Sequence, residues 1–324
     1  MYNICMLLIT NEVIKKLKIT PKECYFWVEN MLKNKNNQLL PPKISLKPYE
    51  GCFCNVMPSM IKNDFGYYGG IKIVTRYTNR EPSLDSKLLL FDGTSGEFLA
   101  IMDANWITAM RTGAVAAHSI NLLAKKDYST IGIIGLGNVS RATLLVLSEI
   151  DPNRKVNIKL YKYKKQEESF ISRFKNLKNV TFSLVDTYEE LIKGTDVVIS
   201  GVTYAKNDFC DDNYFDEGVL VVPIHTLGFT NCDLFFDKVY GDDTEHIKDF
   251  KNFNKFKSFS EISEVITNKA PGRENDKERI LAYNVGISIH DVNFASHIYN
   301  LVVDNKNNEN DILDFGSPNC KYWI

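Results

Sequence analysis

The stretch Ile131-Gly132-Ile133-Ile134-Gly135-Leu136-Gly137-Asn138-Val139-Ser140-Arg141-Ala142 constrains this chain more than any other part of it. An apolar run leads into two glycines one residue apart, and a helical pattern follows at once. A strand that turns sharply into a helix needs a residue without a Cβ, which Gly135 supplies. Gly137 lets a phosphate approach the backbone, and the helix that opens at Asn138 and Val139 offers free N–H groups and the positive end of its dipole. The third position of the pattern is Ser140, which is not glycine but is small enough to keep strand and helix close. A turn of this kind between a strand and a helix, at the head of a βα series, is the context that a dinucleotide-binding site requires.

The series is present. Apolar runs at 131–134, 156–161, 180–185, 197–200, 219–222 and 238–240 alternate with helical patterns over most of their length. That alternation specifies a Rossmann-type, doubly wound parallel sheet, here of six strands. After Asp242 the chain reads as helical or irregular, ending in a long helix within 278–303 behind an apolar strand or turn. The first third differs. A strand over 4–9 and two short helices (Thr10 or Asn11 capping the first, Thr20-Pro21 opening the second with Phe26, Val28 and Met31 inward) precede strand-like runs at 44–46, 52–57, 70–75, 87–92 and 98–103. Asp92-Gly93-Thr94-Ser95-Gly96 marks a hairpin turn between the last two. This is an α+β pattern. At 324 residues the chain has room for about two domains. They are placed at 1–116 plus 293–324 and at 117–292. A helix from about 105, with small residues Gly113, Ala114, Ala116 and Ala117 on a close-packing face, bridges the two patterns, and its His118 reads as a packing residue.

Composition excludes several classes. With 39 Lys+Arg against 40 Asp+Glu, the net charge of −1 gives no bulk electrostatic grip on nucleic acid or on an anionic membrane. The seven cysteines are odd in number, scattered and without a CxxC pair, as expected of reduced thiols in a cytoplasmic protein. They suggest no metal site. No run approaches about 18 consecutive apolar residues, so no transmembrane helix is expected. The opening residues read as a first strand and not as a signal peptide.

A dinucleotide fold that reads the ribose 2′-hydroxyl places an acid at the end of its second strand. Here that end is Leu160-Tyr161-Lys162-Tyr163-Lys164-Lys165, with no carboxylate. Lys162 and its neighbours favour a 2′-phosphate, which tips the choice between NAD and NADP slightly toward NADP.

Three further segments occur in order before the glycine turn: Lys72-Ile73-Val74-Thr75, then Leu90-Phe91-Asp92-Gly93-Thr94-Ser95-Gly96, then the run from Ile101 to Ala114 containing Met110-Arg111-Thr112-Gly113. Together with the turn they resemble the ornithine cyclodeaminase/mu-crystallin family over about residues 40–300. The resemblance implies a nicotinamide cofactor, a homodimer formed through the N-terminal sheet, and chemistry at an α-carbon that bears nitrogen and a carboxylate. It implies Lys72 as a catalytic and substrate-binding group and Arg111 as the carboxylate-binding cation, for which a planar guanidinium is suited. It also places Thr112 and Gly286 at the cofactor, the latter within Asn284-Val285-Gly286-Ile287-Ser288-Ile289-His290-Asp291, where Asp291 is expected to cap the last helix.

The chain departs from the family pattern in two places. Lys43 follows Pro41-Pro42 where an arginine is usual, so a substrate contact there keeps charge and loses the bidentate fork. The Gly-Ala-Asp that commonly follows the fifth strand is absent from Val222-Pro223-Ile224-His225-Thr226-Leu227-Gly228-Phe229-Thr230-Asn231-Cys232-Asp233. His225 and Asp233 are the substitute acid/base candidates. Asp242-Asp243-Thr244-Glu245-His246 is similar to an Asp-Asp-x-x-His pattern of the family's amino-acid-condensing branch. The expectation is an NAD(P)-dependent amino-acid dehydrogenase, imine reductase or reductive coupling enzyme. The alternatives are ornithine cyclodeamination and a non-catalytic NADPH-binding protein.

Overall fold

The computed structural model describes residues 6–202, 205, 207–224, 229, 232–304 and 311–313. It divides into two compact units. The first comprises the described parts of Met1–Ile19, Asn36–Thr108 and Ser288–Ile324, the second those of Thr20–Lys35 and Ala109–Ile287. The units therefore change at 108/109 and 287/288, not at 116/117 and 292/293. Thr20–Lys35, which the sequence reading gave to the first domain, groups with the second.

In the first unit a sheet runs in the order β15-β1-β6-β5-β4-β3-β2. These strands are β1 (Met6–Ile9), β2 (Ile44–Leu46), β3 (Phe53–Asn63), β4 (Gly66–Arg76), β5 (Leu84–Asp92), β6 (Phe98–Asp103) and β15 (Asp311–Leu313). Only β1 and β6 pair in parallel; the other neighbours are antiparallel. The expected hairpin turn forms because Asp92 Oδ1 accepts the amides of Thr94 and Ser95, each at 2.7 Å. Thr10 caps α1 (Asn11–Lys16) through its side chain. One sheet face is covered by α9 (Ser288–Asp304), which packs across β3, β4 and β5. The period of two puts Met57, Ser59, Ile61, Tyr68, Gly70, Lys72, Val74, Leu88 and Leu90 among the buried residues. Gly70 is required there, since a Cβ would press on Val292 of α9 and on the Leu89 carbonyl. On the alternate positions Ile44, Val56 and Ile73 stand in cross-strand register, with Ile44 58% and Ile73 45% exposed.

The second unit holds a wholly parallel sheet in the order β13-β12-β14-β11-β10-β7-β8-β9. Six of its strands lie where the apolar runs predict: β7 (Thr130–Ile134), β8 (Val156–Tyr161), β9 (Val180–Val185), β10 (Val197–Ser200), β11 (Leu220–Pro223) and β12 (Lys238–Gly241). Two more are β13 (Phe259–Glu261), in a stretch read as helical or irregular, and β14 (Ile280–Tyr283), at the apolar strand or turn expected ahead of the last helix. β14 enters between β11 and β12, so its four residues are all buried. The winding direction reverses between β7 and β10, which makes the carboxyl ends of those strands the switch point where such sheets bind ligands.

Helix α2 (Pro21–Lys33) carries a capping box of Thr20 and Glu23 and packs on α4 (Asn138–Ile150) and α8 (Ile262–Ile266). It buries Cys24, Tyr25, Val28, Met31 and Leu32, whereas Phe26, expected to face inward, is 49% exposed. At 100° per residue Phe26 points away from the stripe set by residues 24, 28 and 31. His118, on α3 (Asn105–Leu123), packs as expected: its ring stacks on Tyr25 at 3.7 Å and its Nε2 lies 2.9 Å from the Tyr25 carbonyl. Burial pushes this imidazole down to about 4, against the raising effect of that carbonyl.

Candidate active site

The glycine turn has the local geometry its sequence demands. Gly135 takes φ +82°, and a Cβ there would run into the backbone of Gly201 and Val202 just beyond β10. Ser140 fills the third position by donating from Oγ to the Gly135 carbonyl at 2.6 Å, beside Gly201, whose own missing Cβ makes room for that hydroxyl. Gly137 is different. Its backbone is ordinary (φ −78°, ψ −171°), no side chain caps the helix it begins, and a Cβ there would meet nothing within 4 Å. Space and uncapped amides at the start of a 13-residue helix fit a pyrophosphate. Asn138 and Val139 are the first two residues of that helix, with Asn138 exposed. Thr112 is buried on α3 next to Gly113, which abuts Ala142 and Thr143 of α4 so tightly that a Cβ would not fit. The turn, α4 and the part of α3 that begins at Ala109 thus form one packed group within the second unit.

Arg111, one residue before Thr112, is buried. Its guanidinium lies under Gly286, where a side-chain Cβ would overlap it and where φ is +79°. Gly286 is therefore glycine both for its backbone and for the cation beneath it. Its amide donates to Asp242 Oδ2 at 2.7 Å. Asn284 Nδ2 donates to Asp242 Oδ1 at 3.1 Å and to Ser119 Oγ on α3 at 3.0 Å. Asp242 is wholly buried, which raises its carboxyl, while the Gly286 amide and the Arg111 charge oppose the rise. Sequence reasoning noted the Asp-Asp pair but not this arrangement: Asp242 fixes the Gly286 turn and lies within electrostatic reach of Arg111. The other half of the pattern goes elsewhere. Asp243 pairs with Lys35 at 2.5 Å and with His246 Nδ1 at 2.7 Å, and Lys35 also reaches Glu261 at 2.6 Å. Burial raises the Asp243 carboxyl, but hydrogen bonds from His246 and Lys35 outweigh it and hold the group down to about 2.

In the first unit Lys72 and Asp291 form an ion pair at 2.8 Å, both fully buried. Lys72 comes from the α9-facing side of β4, and Asp291 from the first turn of α9. Asp291, expected to cap the last helix, has a further role: its carboxylate serves the lysine. Lys43 is half-buried immediately before β2.

The remaining candidates are placed as follows. Lys162 directly follows β8, and its ammonium lies 2.9 and 3.0 Å from the two carboxylate oxygens of the exposed Asp186. Asp233 is buried in a short helical turn, where its Oδ1 accepts from Asn252 Nδ2 at 2.8 Å. Burial pushes its carboxyl up to about 6, with the Asn252 bond opposing. Structure ties Asp233 to Asn252 and does not bring it into the Arg111–Gly286–Asp242 group. His225 lies outside the described residues. Among the described residues no group of three or more His, Cys, Asp or Glu is placed to hold a metal ion, and no helix is long and apolar enough to cross a membrane.

Known proteins share this architecture. The Thermococcus litoralis Δ1-pyrroline-2-carboxylate reductase, solved with NADH and L-proline, superposes with a TM-score of 0.80 at 24% identity, over 92% of this chain and 98% of that one. An archaeal alanine dehydrogenase, solved as a dimer with bound NAD, superposes with a TM-score of 0.80 at 23% identity, over 94% and 98% of the two chains. In sequence, N-((2S)-2-amino-2-carboxyethyl)-L-glutamate dehydrogenase of Staphylococcus aureus is 25% identical over 288 residues, 81% of this chain and 83% of that protein. The model of the ornithine cyclodeaminase/mu-crystallin family matches residues 5–306, and the chain belongs to that family.

Proposed function

We propose that this chain is an NAD(P)-dependent enzyme of amino-acid metabolism that acts at the α-carbon of an amino or imino acid, as a dehydrogenase, imine reductase or reductive coupling enzyme. The observation that carries this is the uncapped, open start of α4 at Gly137, in a chain of a family whose relatives include an amino-acid dehydrogenase. The dinucleotide, when bound, supplies or accepts the hydride. The chain's own residues do the rest. Arg111 grips the substrate carboxylate, its guanidinium oriented by Asp242 and Gly286. Lys72 moves a proton at the substrate nitrogen, and Lys43 offers a second positive charge to the substrate. Asp233, with a carboxyl near neutrality, and His225 are the acid/base candidates in place of the missing aspartate. Reduction of an imino acid then balances as one hydride to carbon and one proton to nitrogen.

NADP is the favoured cofactor by a small margin, because the end of β8 offers Lys162, Lys164 and Lys165 and no acid. A 2′-phosphate would compete with Asp186 for Lys162. The assembly is a homodimer in which the apolar stripe of Ile44, Val56 and Ile73 meets a second copy, and among the described residues Cys24, Cys52, Cys54 and Cys210 form no disulfide, in keeping with a cytoplasmic setting. Titration of NADH and NADPH by fluorescence and calorimetry tests the proposal. Micromolar binding of at least one is expected, and absence of binding by both methods overturns it. Ornithine cyclodeamination is the competing outcome: ammonia release from ornithine with no net change in cofactor absorbance would select it.

A further inference from the structure

Two charges with no exposure at all are an unusual way to hold a helix on a sheet. The Lys72–Asp291 pair lies between β4 and the first turn of α9, with Met57 and Leu88 as cross-strand neighbours of the lysine. Apolar contacts and neutral hydrogen bonds already fasten this helix. Val292 fills the space left by Gly70, Ser288 Oγ donates to the Pro58 carbonyl at 2.7 Å, and Asn63 Nδ2 donates to Asn293 Oδ1 at 2.9 Å and Ser296 Oγ at 2.8 Å. A buried ion pair is often no more stabilising than apolar groups of the same volume, whereas removing one partner strands the other. The anion also occupies the helix position that suits it best, since the first turn of a 17-residue helix stabilises negative charge.

We infer that Asp291 is a positioning residue for Lys72: it holds the ammonium in one orientation and balances its charge, so that the lysine is presented for proton transfer and not spent on stability. This rests on the role proposed above for Lys72. Asp291 touches neither substrate nor cofactor in this scheme and acts through the lysine alone.

The test compares wild type with Lys72→Met, Asp291→Asn and the double variant. The readouts are melting temperature, NADH and NADPH dissociation constants, and kcat and KM with Δ1-pyrroline-2-carboxylate, pyruvate plus ammonia, and L-ornithine as probes. Each single variant is expected to lose at least 100-fold in kcat, with cofactor affinity unchanged within threefold. The double variant is expected to be no less active than Lys72→Met and to melt at or above the wild-type temperature, because both buried charges are gone. A double variant that melts well below both singles makes the pair structural and overturns the inference. So does an Asp291→Asn variant that keeps wild-type kcat while Lys72→Met loses it. If Lys72→Met itself keeps full turnover, or wild type turns over none of the probes, the role of Lys72 fails first and the inference falls with it.

Discussion

Alanine at Gly135 and alanine at Gly137 should have opposite consequences, although the two glycines are one residue apart. At Gly135 the φ of +82° costs an L side chain roughly 1–2 kcal/mol. Its Cβ would also lie 2.9 Å from the Gly201 carbonyl carbon and 3.0 Å from the Val202 amide, backbone atoms with little freedom to move. Overpacking of that kind adds about 1–3 kcal/mol. A loss of about 2–5 kcal/mol in a domain of this size lowers the melting temperature on the order of 10 °C. At Gly137 neither term applies, so the melting temperature should stay within about 2 °C of wild type. The new methyl would instead stand in the open space in front of the α4 amides. Loss of one such charge-assisted bond, about 1.5–3 kcal/mol, weakens the cofactor about 10- to 100-fold. Thermal melts and NADH fluorescence titrations on both variants are the assay. A Gly137→Ala variant that binds NADH with wild-type affinity would refute the assignment of this turn to the pyrophosphate. Equal destabilisation by both substitutions would refute the division of roles between them.

Three further outcomes follow from the site and its surroundings. His118 binds its proton with a pKa of about 4 in the fold, against about 6.5 in the unfolded chain, so the unfolded state holds more protons between those values and stability falls as pH drops through that window. The linkage amounts to about 3 kcal/mol, and His118→Phe, which keeps a ring on Tyr25, should flatten the pH dependence of urea unfolding between pH 7 and 4; an unchanged slope contradicts this. Asp233 has the opposite sign: its raised pKa of about 6 means stability is lost as pH rises toward and through 6, so Asp233→Asn should melt higher than wild type at pH 7.5 and no higher at pH 3.5. If Asp233 is also the acid/base, the same variant loses turnover, which separates the two roles. Gly286→Ala should raise the KM for a carboxylate substrate at least tenfold by displacing Arg111, and an unchanged KM would remove Arg111 from the substrate.

Much of the second unit was legible because each buried parallel strand is a nearly continuous apolar run, and six such runs locate β7 to β12. β13 escaped, and β14 was legible only as an apolar strand or turn, for a physical reason. Three or four residues carry little pattern, and Ile280–Tyr283 merges with the apolar start of the last helix. The glycine turn was readable because its geometry is local to a dozen residues. The pairing of Lys72 with Asp291, 219 residues apart, was not, since a period can say that a residue is buried but not which partner it meets. The same limit hid the contact of Arg111 with Gly286 and the anchoring of Lys35 by Asp243 and Glu261. Gly286 was singled out for a cofactor approach, yet within its own unit the group it admits is a guanidinium. The placement of α2 failed differently: its amphipathic stripe was clear, but nothing in it names α4 as the surface it covers.

The central claim is net hydride transfer at an α-carbon that bears nitrogen. The most direct measurement follows NADH and NADPH absorbance while the chain is offered Δ1-pyrroline-2-carboxylate and pyruvate with ammonia, with mass analysis of the amino acid formed. The account predicts one cofactor oxidised for each amino acid produced, faster with NADPH, and abolished by Lys72→Met or Arg111→Ala. Tight cofactor binding with no amino acid formed from any imino or 2-oxo acid would contradict it.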